Sequence, residues 1–315
     1  MRYKKHSLII TTGTLATLLL LASCTQDFLS GSDTGNRPAM LNLTTLQASG
    51  INATTRAAAT SDYPADRLIG FFVKADAPNE YDACSNYKGA YDATRAKWLP
   101  APDILLNSHD ADIAVYAPYD ITQTAPAALS LTACLRPADG SKDIWCKRFI
   151  ANNRSGSLSI TLEHLYTRLS LTLTRDANYK VEAVLTDISL TGNEIYAGST
   201  YRFFEDAPYA YDKAKGFSAL SMQVLSDASP TAQYDMLLIP TALLTDNITL
   251  AFTVNGKKMQ AIILKEKFAA TAGKLEAGKQ YNINLKLIPG KLEITSVSVE
   301  NWNTGTAQSG DTEFE

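Results

Sequence analysis

Histidine is scarce in this chain, with 3 among 315 residues. His6 lies in the first ten, so only His109 and His164 are left for a folded domain. His109 sits in Ser108-His109-Asp110-Ala111-Asp112, a solvated turn ahead of an apolar segment, and His164 falls within a strand pattern. No HExxH, GxSxG, phosphate loop or calcium loop occurs. The carboxylates are scattered, so no pair can be named for glycoside hydrolysis. The sequence nominates no catalytic residue, no metal ligands and no cofactor, which disfavours an enzyme. Cysteine is also sparse, with 4 residues and no CxxC spacing. Cys134 and Cys146 could close a loop in an oxidising compartment, or stay small buried thiols beside Cys84. Charge is nearly balanced, 29 basic against 32 acidic residues for a net −3, so nothing calls for nucleic acid or an anionic surface. Long apolar runs are missing too. The longest, Leu8 to Leu21, has 14 residues, and a spanning helix needs roughly 20.

That short run is informative for what surrounds it. Arg2, Lys4 and Lys5 precede it, and Leu21-Ala22-Ser23-Cys24 follows. A positive head, an apolar run and a small-residue cleavage site make an export signal. The last four residues look like a bacterial lipobox, in which the Cys24 thiol is acylated and becomes the new N-terminus; the plainer reading is a secretory signal with an incidental cysteine. Several acyl chains on one residue anchor stably, since each buried methylene contributes about 0.8 kcal/mol. Residues 1–23 are therefore read as a lipoprotein signal peptide. Residues 24–56 are read as a tether or propeptide, rich in Thr, Ser, Asn, Ala and Gly. Within it, Met40 to Leu46 alternates apolar and polar and could be a strand, with Leu41, Leu43 and Leu46 as its apolar positions. Ile51 to Thr60 places Arg56-Ala57 among small residues, the kind of exposed loop that proteases cut; an uncut tether fits the same residues.

About 290 residues remain after Cys24, enough for two domains or one large one. Nearly every apolar segment is short and reads at period two, the pattern of a half-buried strand. Arg67 to Lys74, Asp112 to Tyr119, Gly156 to Leu162 and Leu165 to Leu173 are the clearest in the first half, with brief patches at Lys97 to Pro100 and Asp143 to Lys147. Ala75 to Asn86 reads as turn-rich. The second half predicts strands over Tyr179 to Leu190, Leu220 to Val224, Tyr234 to Ile239, Ile248 to Val254, Met259 to Leu264, Tyr281 to Ile288 and Leu292 to Trp302. Asn255-Gly256 between two alternating runs is a two-residue hairpin signal, because both positions tolerate positive φ. Phe268 to Leu275 could form a short helical turn, weakened by Gly273. Many short strands with marked turns mean an all-β sandwich or barrel. A boundary near Leu162 divides the chain into 57–162 and 163–315.

The order of these pieces resembles the fimbrillin family, the lipoprotein-precursor pilus subunits of Bacteroidales. The resemblance rests on Leu21 to Cys24, Thr55-Arg56-Ala57 ahead of Arg67 to Val73, Val115 to Tyr119, and Asp143-Ile144-Trp145. It continues through Leu162 to Leu169, Leu238-Ile239-Pro240, Gly278 to Leu285 and Trp302. It implies two transthyretin-like β-sandwich domains and export to the outer membrane on a lipid anchor. It also implies a cut at Arg56 that removes the first strand, with Leu41, Leu43 and Leu46 as its candidates. A strand from another subunit then fills the slot. The tail, through Leu292, Ile294, Val297, Val299 and Trp302, is the candidate donor. A phase change at Ser296 asks for a bulge there. On this resemblance the chain is a structural subunit or accessory adhesin of a pilus. Its partners are other fimbrillin subunits, the outer membrane and host or bacterial surface ligands. A surface lipoprotein that binds glycans through Tyr196, Tyr201, Tyr209 and Tyr211 is the alternative.

Overall fold

The computed structural model describes residues 37–49, 60–79, 81–123, 127–137 and 140–302. Cys24, Arg56 and Ala57 lie outside them. The chain is all-β, with one short 3-10 turn at Ala77–Asn79 and a longer 3-10 segment at Lys265–Thr271 among the described residues. That segment stands three residues ahead of the helical turn expected at Phe268 to Leu275. Phe268 is its buried anchor, and Gly273, at φ +74°, lies just past its left-handed cap Ala272.

One sheet of eight strands is built from residues 43–164. Its order is Leu158–His164, Trp145–Ala151, Ala111–Ala117, Ile69–Val73, Cys84–Asp92, Lys97–Ala101, Leu43–Ser49 and Thr60–Asp62. The sheet also closes on itself, because Leu43–Ser49 pairs in parallel with Leu158–His164. Ile69–Val73 is buried at every position, a run with apolar contacts on both faces. Gly70 is required there, since a Cβ would stand 1.9 Å from Cε1 of Tyr116.

The second half makes two facing sheets. Five strands run in the order Cys134–Leu135, Thr231–Leu238, Thr167–Arg175, Lys279–Ile288 and Lys291–Asn301. Four run in the order Phe217–Leu225, Ala183–Thr191, Ile248–Val254 and Lys257–Ile263. Their apolar faces share one core that includes Leu171, Leu185, Ile188, Phe252, Tyr281 and Ile283. The hairpin at Asn255-Gly256 forms with both residues at positive φ, 47° and 76°, and Val254 opposite Lys257. A small third sheet, Tyr209–Tyr211, Gly198–Arg202 and Ala128–Thr132, bridges the halves. Residues 128–135 thus precede His164 in sequence yet pair with strands from the later half.

Cys84, Cys134 and Cys146 are all free thiols, so the loop between Cys134 and Cys146 is not closed. Burial pushes the thiols of Cys84 and Cys146 up to about 12.

Candidate functional site

Residues 37–49, ahead of Arg56, are part of the fold. Ala39–Met40 pairs antiparallel with Leu105–Leu106, and the Leu41 amide donates to the Ile104 carbonyl at 2.9 Å. Leu43–Ser49 then runs beside Leu158–His164, with Leu46 opposite Ile160 and Ala48 opposite Leu162. The register shifts by one residue at Thr44, whose hydroxyl donates to the Leu158 carbonyl at 3.1 Å. Its other side meets the sheet at Leu43 opposite Trp98, and further along it pairs with Thr60–Asp62. The strand therefore sits between neighbours on both sides.

The period-two pattern explains its seating. Leu43 and Leu46 are 0% and 2% exposed, and Leu41 and Ala48 are equally buried. Together they pack with Trp98, Ile160 and Leu162 in the core of the closed sheet. The bulge at Thr44 puts Leu43 and Leu46, three apart, on the same inner face. Burying three leucines contributes roughly 5–9 kcal/mol, at about 1.5–3 each, as an upper bound. Removing the strand would strip Leu158–His164 of a backbone partner and open an apolar slot. Ser49 and Thr60 are paired opposite each other, so the connection holding Arg56 begins and ends on adjacent strands.

The candidate donor is also seated in its own chain. Lys291–Asn301 pairs along its length with Lys279–Ile288 and forms the edge of the five-stranded sheet. Leu292 is buried, while Ile294, Val297 and Val299 lie partly buried against the same core. The phase change falls at Thr295, where Asn284 faces Ser296 and Leu285 faces Ile294. It is a bulge one residue earlier than the sequence suggests. Trp302 is 1% exposed and belongs to a different cluster, where the two halves meet.

That cluster is a polar–aromatic clamp the sequence reading missed. The Trp302 ring lies flat on His164, with centroids 3.7 Å apart and planes 7° apart. Trp145 tilts against the same imidazole at 5.2 Å. His164 Nδ1 and Asp143 Oδ1 are 3.0 Å apart, and both side chains are buried. The guanidinium groups of Arg136 and Arg168 stand 5.7 and 5.9 Å from the Trp302 ring centre. Arg168 is held by Asp235 and donates to Gln280 Oε1 at 2.9 Å. The Trp302 amide donates to the Gly278 carbonyl, whose own amide donates to Tyr166. The available signal was the recurrence of Asp143, Trp145, His164, Arg168, Gly278 and Trp302 inside the short motifs that carry the resemblance. Sequence order alone does not say that they meet.

The tyrosines weighed for glycan stacking are mostly spent on one another. Tyr196 stacks on Tyr211 at 4.1 Å, Tyr201 meets Tyr209 edge-on at 5.0 Å, and Tyr209 donates to the Leu165 carbonyl. His109 accepts at its backbone carbonyl from the Tyr81 hydroxyl, and its amide donates to Asn107 Oδ1. No group of three or more metal-binding side chains gathers among the described residues, and none of their helices is long and apolar enough to cross a membrane.

Comparison with known proteins follows the same outline. A putative cell adhesion protein of Bacteroides uniformis is similar at 17% identity, covering 82% of this chain and 98% of its own, with a TM-score of 0.54. One from Bacteroides ovatus is similar at 12% identity, covering 85% and 98%, with a TM-score of 0.55. The tip fimbrial protein Mfa3 of Porphyromonas gingivalis is similar at 11% identity, covering 84% and 100%, with a TM-score of 0.47. No curated protein matches the sequence. The family described as fimbrillin-like matches residues 55–302, from beside Arg56 to Trp302. The chain belongs to the fimbrillin-like family.

Proposed function

We propose that this protein is a structural subunit or accessory adhesin of a cell-surface pilus, assembled by exchange of a β-strand. In this reading it leaves the cell interior on the signal at residues 1–23 and is acylated at Cys24. It reaches the outer membrane, where a protease cuts between Arg56 and Ala57. The cut frees Leu43–Ser49 from covalent attachment, and an extended segment of another subunit takes its place. Two β-sandwich units, 57–162 and 163–315, then form the mature subunit.

One observation carries this reading: Leu43–Ser49 is a buried closing strand joined to the rest only through the segment that contains Arg56. A slot lined by Trp98, Ile160 and Leu162 beside a bare strand edge suits strand addition, in which main-chain bonds supply affinity and alternate side chains supply register. The family match begins at residue 55, two residues ahead of the proposed new N-terminus at Ala57, and leaves out the strand Leu43–Ser49. On the donor side, Leu292 to Trp302 must leave its hairpin before it can be offered. Undocking Leu292 and Trp302 has a cost, so donation is coupled to release of the clamp at His164.

N-terminal sequencing of protein recovered from the cell surface tests the proposal. A start at Ala57, with loss of polymer in Arg56→Ala, supports it. An acylated Cys24 at the start of protein taken from assembled polymers refutes the cut.

A further inference from the structure

The closing strand and the trailing strand carry one pattern. In the slot, Leu41, Leu43, Leu46 and Ala48 are buried in the core, spaced by two, three and two positions. In the tail, Leu292, Ile294, Val297 and Val299 pack on the other core at the same spacing. The three-residue step has the same cause in both strands. Thr44 is an extra residue against Leu158–His164, and Thr295 is an extra residue against Lys279–Ile288. Each is a threonine directly after the second apolar residue. Aligned on these bulges, Leu41-Asn42-Leu43-Thr44-Thr45-Leu46-Gln47-Ala48 matches Leu292-Glu293-Ile294-Thr295-Ser296-Val297-Ser298-Val299.

A slip of one residue turns a strand's side chains to the opposite face. A strand of strict period two, as Thr167–Arg175 is from Leu169 onward, therefore cannot fill all four places. The bulged tail can. Size is conserved from Leu41 to Leu292 and from Leu43 to Ile294, while Val297 has one carbon fewer than Leu46 and Val299 two more than Ala48. The charges of the tail land at the rim. Lys291 falls at Met40, which is 39% exposed, and Glu293 at Asn42, whose amide donates to the exposed Ser157 hydroxyl. Thr295 brings a hydroxyl to the point where Thr44 donates to the Leu158 carbonyl. At home the tail is less well covered. Lys291–Asn301 is bonded to one described strand, and Ile294 and Val297 line a cleft shared with Ile262 and Leu264. The four places in the slot are at most 2% exposed, and Leu43–Ser49 has backbone partners on both sides. Transfer buries more apolar surface and adds a second ladder.

We infer that the strand replacing Leu43–Ser49 is Lys291–Asn301 of a second copy of this chain, running in the same direction and seated bulge on bulge. Leu292 takes the place of Leu41 and Ile294 that of Leu43. Val297 then stands opposite Ile160 and Val299 opposite Leu162, as Leu46 and Ala48 do in the uncut chain. The inference rests on the strand-exchange reading and adds to it which chain supplies the strand and in what register. Donor and acceptor are different surfaces of one molecule, so the contact is heterologous and leaves a free slot and a free tail at the ends.

Labelled peptides of residues 291–301 and 39–49, each added to the full chain cut at Arg56, test the inference. Both should enter the slot. Gln47 stands opposite Thr161, and Ser298 takes the place of Gln47. Peptide with Ser298→Cys should therefore form a disulfide with Thr161→Cys in the chain, since neighbouring strands lie within the Cα separations a disulfide spans. Ser296→Cys or Glu300→Cys, two positions to either side, should cross-link at least tenfold less. Deleting Thr295 from the peptide should weaken its entry at least tenfold, because Val297 and Val299 then face outward. The uncut chain, its slot filled, should give no cross-link. Entry of 39–49 without 291–301 overturns the inference and leaves strand exchange standing. Entry of neither overturns both. Equal cross-linking at Ser296→Cys, indifference to the loss of Thr295, or cross-linking to the uncut chain also overturns the inference. The substitutions and the deletion in the donor are made in a peptide, so their effects are not those of a misfolded subunit.

Discussion

Leu46→Ala addresses the closing strand directly. Leu46 is 2% exposed and packs in the core of the closed sheet, on a strand paired at Ile160. Truncating a buried leucine costs about 2–5 kcal/mol, the transfer term plus the cavity left behind. Met40, on the same segment but 39% exposed, is the matched control, and Met40→Ala should cost under about 1 kcal/mol. Thermal or urea unfolding of the uncut chain measures both. Hydrogen exchange should show the loss in amides of Leu43–Ser49 and Leu158–His164, and not in Thr167–Arg175, which belongs to another core. A functional consequence follows from the same number. Once the chain is cut at Arg56, as proposed, the strand is held by packing and ladder bonds alone. Lowering its docking energy by about 2 kcal/mol should ease replacement by a competing peptide roughly 30-fold, since every 1.4 kcal/mol is tenfold. Fluorescently labelled peptide of residues 39–49, added to protein cut at Arg56, reads that exchange. If Leu46→Ala and Met40→Ala destabilise equally, or the labelled peptide exchanges no faster into the variant, the strand is not the energetic closure described here.

Other expectations are as direct. Trp302→Ala removes a buried indole from His164 and should cost about 3–5 kcal/mol, with Trp302→Phe recovering part of it, read by thermal unfolding. Gly70→Ala drives a methyl into the Tyr116 ring and should cost about 1–3 kcal/mol or more, whereas Gly256→Ala meets no atom within 4 Å and suffers only from its positive φ of 76°. Burial raises all three described thiols, and Cys134 is the least enclosed. At pH 8, a thiol with a pKa of about 12, like those of Cys84 and Cys146, is on the order of 0.01% thiolate, the reactive form. Iodoacetamide on the native protein should therefore label Cys134 first. Labelling of Cys146 at the same rate would show that the junction opens.

The strands that were legible share one trait: a dry face and a wet face. Leu158–His164 and Thr167–Arg175 alternate cleanly, and their burial follows the same beat. Hairpin turns were legible for a backbone reason, as at Asn255-Gly256. Cys84–Asp92 was missed because its first three residues fell in Ala75 to Asn86, read as turn-rich, and its apolar side chains, Cys84, Tyr87, Ala90 and Tyr91, keep no period of two. It is a strand because Ile69–Val73 and Lys97–Ala101 flank it on both sides and satisfy its backbone, a tertiary effect that local pattern does not encode. Ala128–Thr132 escaped for the same reason, since its partner Gly198–Arg202 lies some 70 residues away. Phe217–Leu225 was read short, as Leu220 to Val224, because its outer row is as apolar as its inner one. At the site, Leu41, Leu43 and Leu46 were visible by period, while the bulge that brings Leu43 and Leu46 to one face was not.

The clamp explains why scattered short motifs keep company in this sequence. Asp143-Ile144-Trp145 leads into one strand, Glu163-His164 ends another, Arg168 begins a third and Trp302 closes the chain's described part. Separated by up to 159 positions, they meet around one imidazole. Asp143 orients His164, Trp145 and Trp302 cover it, and two guanidiniums flank the outer indole. A polar group this buried is expensive unless bonded, so the arrangement tolerates little substitution. It also ties the end of strand Lys291–Asn301 to strands of the first sheet. Whatever segment follows Trp302 therefore leaves from a fixed point at the junction of the halves. Release of the preceding strand requires unstacking His164 and breaking the Trp302 amide bond to Gly278. On the proposed strand-exchange reading, the trailing strand stays shut until a competing contact offsets that cost, and the competition is set by a handful of residues that lie far from the slot at Leu43–Ser49 in sequence.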